Sequence, residues 1–302
     1  MLARVASIVL VNIVVGSFIY IYLLRRSRRI VQRGYWIYAL KLDLPLIPHY
    51  LSMTVLNSSA RILINNICGA AYTALYSVSY NIAAVLNLLN TSINSSYIPW
   101  FYKKMAAGEH GEISKVSTAL LIVVGACSLL PALFGPEVVL ILGSARYMEG
   151  VWIMPSAALG VYFTFLYSIF SNYELFFEES KAIMVASLMA AAFNILLNII
   201  FLPVFGFVAA GYAALICYIS LAFFHYLMAR HISKQRANGI FPFDMQSIVI
   251  VSAALLLLSI GVQLTYFNTA IRYVAILIVA VTMFLKREVL LDTIKGMKRG
   301  ER

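Results

Sequence analysis

Long apolar runs separated by short polar connectors fill the chain from end to end. Nine such runs can be drawn, at about 3–24, 44–68, 71–98, 116–134, 151–176, 182–202, 208–229, 247–266 and 271–285. A helix rises about 1.5 Å per residue and a bilayer's hydrocarbon core is about 30 Å thick, so about 20 apolar residues make one crossing. The runs are too long and continuous for the short alternating segments of a membrane barrel. Lipid offers no partner for exposed backbone groups, so helices remain as the way across. The pattern predicts an all-α polytopic membrane protein with about nine transmembrane helices.

Composition sharpens the class. The chain is 62% hydrophobic and 12% charged, with a mean hydropathy of +0.89. Soluble domains carry about 25% charged residues, too many for this chain to imitate with its own surface. The first run is longer than a cleaved signal, its basic residues follow the apolar stretch, and no small-residue cleavage site appears. The connectors are short, so no extramembrane catalytic domain is expected. Between Gly135 and Gly150 the segment PEVVLILGSARYMEG has helical spacing and reads as an interfacial turn. Tyr20, Tyr22, Tyr35, Trp36, Trp100, Tyr102, Tyr147 and Trp152 fall at span ends, as amphipathic rings do at headgroup level.

The net charge of +11 is distributed by topology. All but four of the 23 Lys and Arg fall on alternate connectors or in the tail after 285; the four are Arg4, Arg61, Arg146 and Arg272. Basic residues collect on the cytoplasmic side of inner-membrane proteins, so the tail with Lys286, Arg287, Lys295, Lys298, Arg299 and Arg302 is expected in the cytoplasm. The charge points to anionic lipid and not to nucleic acid. On this orientation the first run crosses inward, and further helices are expected upstream of it.

Polar residues inside the runs carry the functional information. Asn57, Arg61 and Asn65 follow at four-residue spacing and share one stripe of the second span. A charge at the centre of a lone helix costs about 3 kcal/mol on insertion scales. Arg61 either snorkels to the headgroups or faces an aqueous cavity and attracts an anion; its asparagine neighbours favour the cavity. In the third span Thr73, Ser77, Tyr80, Ala84, Asn87, Thr91 and Asn94 fall within about 100° on a helical wheel, a polar or small face along a whole crossing. In the fifth, Gly160, Thr164, Tyr167, Ser171 and Glu174 repeat the pattern. Glu174 either joins Glu178 and Glu179 at the interface or serves as a proton or cation site. Ser187, Ala191, Asn194 and Asn198 in the sixth span read as a helix-packing seam. Pro45 and Pro48 either begin the second span or bend it.

Enzyme signatures are missing from the sequence. His49, His110, His225 and His231 are dispersed, and Asp43, Asp244 and Asp292 lie near interfaces. There is no phosphate loop, zinc-binding histidine pair or serine elbow. Cys68, Cys127 and Cys217 are too scattered for a disulfide framework or metal site, and no cofactor is expected.

Three segments carry a family resemblance: LDLPLIPHYLSMTVLNSSARILINNICGAAYTALYSVSYNIA at 42–83, IPWFYKKM at 98–105 and NILLNIIFLPVFGFVAAGYAAL at 194–215. In that order they resemble the second helix bundle of bacterial polysaccharide and O-antigen flippases, within the multidrug/oligosaccharidyl-lipid/polysaccharide exporter (MOP) superfamily. The resemblance implies three parts. Residues 1–40 would be the last helix of a first bundle with a basic linker, 41–236 the second six-helix bundle, and 237–302 two extra helices with a basic tail. It further implies flipping of undecaprenyl-phosphate-linked oligosaccharide across the inner membrane for capsule, O-antigen or exopolysaccharide synthesis. Arg61 would then attract pyrophosphate, Asn57, Asn65, Tyr80, Asn87 and Asn94 would contact substrate, and Glu174 would couple an ion. Implied partners are the lipid-linked oligosaccharide, membrane lipids, other polysaccharide-assembly proteins and a missing N-terminal bundle. Family members often carry an acid just before the matching arginine, where this chain has Ala60. A non-transporting scaffold fragment of an assembly complex and a multidrug-type exporter stand as alternatives.

Overall fold

Every apolar run becomes a helix in the computed structural model, which describes residues 2–26 and 32–285. The basic tail after 285, and Arg28 and Arg29 of the first basic connector, lie outside the described residues. The helices are α1 (Leu2–Arg26), α2 (Arg33–Asp43), α3 (Leu46–Ile67), α4 (Ala70–Ala107), α5 (His110–Leu133) and α6 (Gly135–Leu142). A 3₁₀ helix (Ala145–Ile153) follows, then α7 (Met154–Phe176), α8 (Ser180–Phe205), α9 (Ala209–Arg236), α10 (Met245–Thr265) and α11 (Thr269–Leu285). No strand occurs among the described residues.

Among the described residues, six helical segments are long and apolar enough to cross a membrane: those at 9–26, 110–133, 145–176, 180–205, 209–236 and 245–265. The chain is an all-α, multi-pass membrane protein. Helices α3 and α4 are long enough but are not among the six, because their stripes of Asn, Ser, Thr and Tyr lower their hydropathy. The same residues that make these two helices poor membrane solutes are the ones with chemistry to offer.

Residues 1–44 form one unit and 45–302 a second. In the first, nearly all described side chains of α1 are exposed and mostly apolar, as suits a helix bathed in lipid. In the second, α7 is the axis. It is buried along nearly its whole length and packs against α4, α5 and α9. Helix α8 joins through α3 and α9, α10 lies on α5 and α7, and α11 touches α5 and α10. The outward faces carry bare Leu, Ile, Val and Phe, among them Leu88, Val204, Phe205, Leu257 and Leu264, as suits a helix bundle in an apolar surround.

Local chemistry sets the helix ends. Pro45 precedes α3 and Pro48 sits in its first turn, so the pair starts the helix. Gly108 ends α4 at φ 74°, a left-handed position that a side chain strains. Beyond it, Lys104 meets Glu109 and Glu112, each at 2.6 Å, and the two carboxylates raise its ammonium pKa. Asp244 caps α10, accepting from the Ser247 backbone N–H at 3.2 Å and the Ser247 hydroxyl at 2.5 Å. Trp100 is buried in the core, where its ring packs on Tyr97. The 136–150 segment is helical as read, split between α6 and the 3₁₀ helix.

The expected packing seam of α8 is present. Ser187, Asn194 and Asn198 are fully buried, Ser59 of α3 donates to Asn194 Oδ1 at 3.3 Å, and Asn198 donates to the Asn194 carbonyl at 2.8 Å. Glu137 of α6 pairs with Arg272 of α11, and the Tyr273 hydroxyl donates to the same carboxylate at 2.8 Å. Tyr266 donates to the Ala132 carbonyl at 2.5 Å. Through these contacts the α10–α11 hairpin is fastened to α5 and α6.

Candidate functional site

Helix α3 places His49, Met53 and Asn57 one turn apart on one stripe, with Tyr50 beside them, and all four line a cavity of about 390 Å³. Helix α4 contributes Asn87, Asn90, Thr91 and Asn94, the i, i+3, i+4, i+7 positions of one face. Helix α7 adds Thr164, Phe165, Tyr167 and Ser168, and α9 adds Tyr218. The volume falls in the usual range for small-ligand sites, about 300–1,000 Å³. No Asp, Glu, Lys or Arg is among the lining residues.

Hydrogen bonds fix the wall. The Tyr218 hydroxyl donates to Asn57 Oδ1 at 2.7 Å, and Asn57 Nδ2 donates back to the Met53 carbonyl at 2.8 Å. Asn172 of α7 donates to Asn94 Oδ1 at 2.8 Å, and Asn90 Nδ2 donates to the Val161 carbonyl at 2.8 Å. A Cβ at Gly160 would come within 3.3 Å of the Tyr218 ring, so this glycine lets the ring lie close against α7. Two lining atoms are left over. Asn90 Oδ1 and His49 Nδ1 are buried with no hydrogen-bond partner in the chain. Buried polar atoms rarely stay unpaired, so these two are exceptions in the wall.

The residues singled out in the sequence divide into two groups. Asn57, Asn87 and Asn94 converge on the cavity. Arg61 lies one turn further along α3, outside the lining, where its Nη2 donates to Asn81 Oδ1 at 3.4 Å and its Nε has no partner. Asn65, a further turn on, is exposed. Tyr80 is half-buried and stacks on Tyr76 with centroids 5.0 Å apart.

Glu174 stands two residues before the end of α7. It is completely buried, and both carboxylate oxygens contact Nδ1 of an equally buried His225 on α9. On the other side of His225 stands Tyr167, its ring stacked at 5.5 Å and 22°, and Tyr167 itself lines the cavity. The buried pair is therefore one aromatic layer behind the wall. Sequence reading passed over His225 because two residues 51 positions apart share no periodicity. It passed over His49 although the signal was there: the stripe through Asn57 and Arg61 extends back to it at the same four-residue step.

No protein-family model matches the chain, and no curated protein matches it. Solved structures do. One, described as the outward-facing conformation of a multidrug resistance MATE family transporter of the MOP superfamily, superposes with a TM-score of 0.54 at 15% identity. Over the aligned part, the chain shares its fold with that transporter. A second structure, a MOP superfamily transporter from Pyrococcus furiosus Vc1 (DSM3638) described as having a binding pocket of reverse polarity, superposes with a TM-score of 0.50 at 16% identity. Each alignment covers 86% of this chain and 62% of the neighbour, so the chain spans less than two thirds of the length of these MOP transporters. At such identities the likeness speaks for the fold, and the chemistry of the cavity must be argued from its own residues.

Proposed function

We propose that the chain moves a lipid-linked oligosaccharide between leaflets, as part of a MOP-type flippase working by alternating access. The observation that carries this reading is the lining of the cavity. Four asparagine carboxamides, three hydroxyl side chains and the rings of Tyr50, Phe165, Tyr167 and Tyr218 converge on it, and no carboxylate does. Sugars present paired donors and acceptors that carboxamides match, and apolar C–H faces that stack on aromatic rings. A cation exporter would place an acid toward its substrate, whereas the nearby acid, Glu174, is turned away and held by His225.

In this reading the glycan occupies the cavity while the lipid tail stays in the bilayer. Arg61, one turn beyond Asn57, receives the pyrophosphate as it passes, with Asn65 and Tyr80 along the same route. Glu174 is the ion-coupling group, and its pairing with an imidazole suits a proton. The location is a bacterial inner membrane with a cytoplasmic C-terminus, serving capsule, O-antigen or exopolysaccharide synthesis. The test is translocation of fluorescent undecaprenyl-diphosphate oligosaccharide in proteoliposomes. Translocation that drops when Asn57 and Asn87 are both changed to Ala supports the reading, and translocation indifferent to that change removes the glycan from this cavity.

A further inference from the structure

Helices α8 and α9, joined across 206–208 and packed on one another, leave a groove of about 400 Å³ between them. Ala186 and Ala190 lie buried in its floor, and Met189, Phe193, Phe223 and Leu227 stand exposed at its rims. The one hydroxyl in the lining, that of Ser220, donates to the Ile216 carbonyl at 2.8 Å. The walls therefore suit hydrocarbon and not sugar. Tyr218, which lines the first cavity, projects from the opposite side of α9 to Phe223 and Leu227, so the groove opens away from that cavity. His231 and Lys234 follow Leu227 at the i+4 and i+7 positions, on the same face of the helix. The 28 residues of α9 rise about 42 Å, more than a hydrocarbon core of about 30 Å, so its polar last turns reach headgroup level. Both side chains are exposed, and neither has a hydrogen bond or ion pair among the described residues. The other cations of these turns are engaged: Arg230 lies over the Phe241 ring at 5.0 Å, and Arg236 meets Glu179 at 2.5 Å.

We propose that this groove holds an acyl chain of an anionic phospholipid, with the lipid's phosphate at His231 and Lys234. An apolar slot that leads along one helix face to two unpaired nitrogen donors matches such a molecule in both its parts. The site stands whether or not the first cavity takes a glycan. The polyprenyl tail of a transported lipid has similar chemistry, an apolar chain behind a phosphate. To reach the groove from the cavity, however, it would have to pass around α9. A phospholipid of the surrounding leaflet enters directly, because the rims are open to the bilayer.

The test is native mass spectrometry of the full chain, released from detergent with equal amounts of phosphatidylglycerol and phosphatidylcholine bearing the same acyl chains. Phosphatidylglycerol should be retained in preference. Lys234→Gln should cut that preference about fivefold, the worth of one basic side chain at an anionic surface. His231→Gln together with Lys234→Gln should remove it, while a change at another exposed cation, Lys115→Gln on α5, should leave it intact. Cutting back the exposed rims with Met189→Ser and Phe223→Ser should weaken retention of both lipids alike. Equal retention of the two lipids by the parent chain overturns the proposal, as does a preference unmoved by the double charge change or a retention unmoved by the rim changes. Undecaprenyl phosphate that displaces phosphatidylglycerol at a lower concentration than phosphatidylglycerol itself requires would also overturn it, assigning the groove to an isoprenoid tail. A dimer in place of the lipid-bound chain would overturn it in favour of a second copy.

Discussion

Nδ1 of His225 stands 2.9 and 3.0 Å from the two carboxylate oxygens of Glu174, and neither side chain has any exposed surface. The pair ties α9 to α7, the helix around which the larger unit is built. Removing one member of a buried pair leaves the other desolvated and unpaired, at a cost of about 3–5 kcal/mol. His225→Ala should therefore lower the thermal midpoint markedly, whereas the double change Glu174→Gln with His225→Gln should recover much of the loss. A double-mutant cycle on unfolding in detergent measures the coupling; additive single effects would show that the contact contributes nothing.

Transport should respond differently. With Glu174 as the coupling group, Glu174→Gln keeps the shape and a hydrogen bond to His225 but removes the charge. A pH gradient should then no longer accelerate translocation in proteoliposomes, while slow equilibrative movement continues. Acceleration identical to that of the parent chain would take the coupling role away from Glu174.

Asn57 spends its side chain on the wall itself, accepting from Tyr218 and donating to Met53. Asn57→Ala strips the buried Tyr218 hydroxyl of that acceptor, which costs about 1–3 kcal/mol. Tyr218→Phe in the same background should restore most of that stability without restoring glycan binding. Chemical-denaturation midpoints and binding titrations on the two variants separate the wall's structural duty from its contact with ligand.

Gly150 sits where a Cβ would press on the Leu75 carbonyl at 2.8 Å, backbone that cannot swing aside. Gly150→Ala should push the 3₁₀ helix off α4 and cost about 1–3 kcal/mol as overpacking. Gly261, whose Cβ would meet nothing within 4 Å, is the control, and Gly261→Ala should leave the thermal midpoint nearly unchanged.

Asp244 provides an acid-dependent cap on α10. Hydrogen bonds from the Ser247 side chain and backbone hold its carboxyl pKa below the ordinary value. With the folded value depressed, the cap stabilises fully above the ordinary carboxylate range and is lost as pH falls through the lowered value. Asp244→Ala should lower the melting midpoint at neutral pH, and the difference from the parent chain should begin to narrow below about pH 4 and close at still lower pH. A gap that persists in strong acid would mean that the cap acts without its charge.

The chain's hydrophobic pattern was sufficient to place the helices, because crossing a bilayer needs only a long apolar run and the backbone satisfies itself. Each expected span coincides with a helix to within a few residues at most ends; the largest departure is α4, which runs on to Ala107 past the expected 98. Within a single helix the polar stripes were equally legible, since 3.6 residues per turn fixes which side chains share a face. So Asn87, Thr91 and Asn94 were recognisable as one surface, and the seam through Asn194 and Asn198 as another.

What periodicity leaves open is how each helix is rotated and which helix it meets, and those are settled by packing of side chains distant in sequence. Tertiary structure decided that the stripe of α3 opens on the cavity at His49, Met53 and Asn57 but not at Arg61 or Asn65. It also joined Asn194 to Ser59 of α3 and Glu174 to His225 of α9. The sequence by itself determined a membrane protein with polar faces to spend. Only the meeting of α3, α4, α7 and α9 determined that they are spent around one carboxylate-free cavity, because a cavity is a property of several helix faces at once.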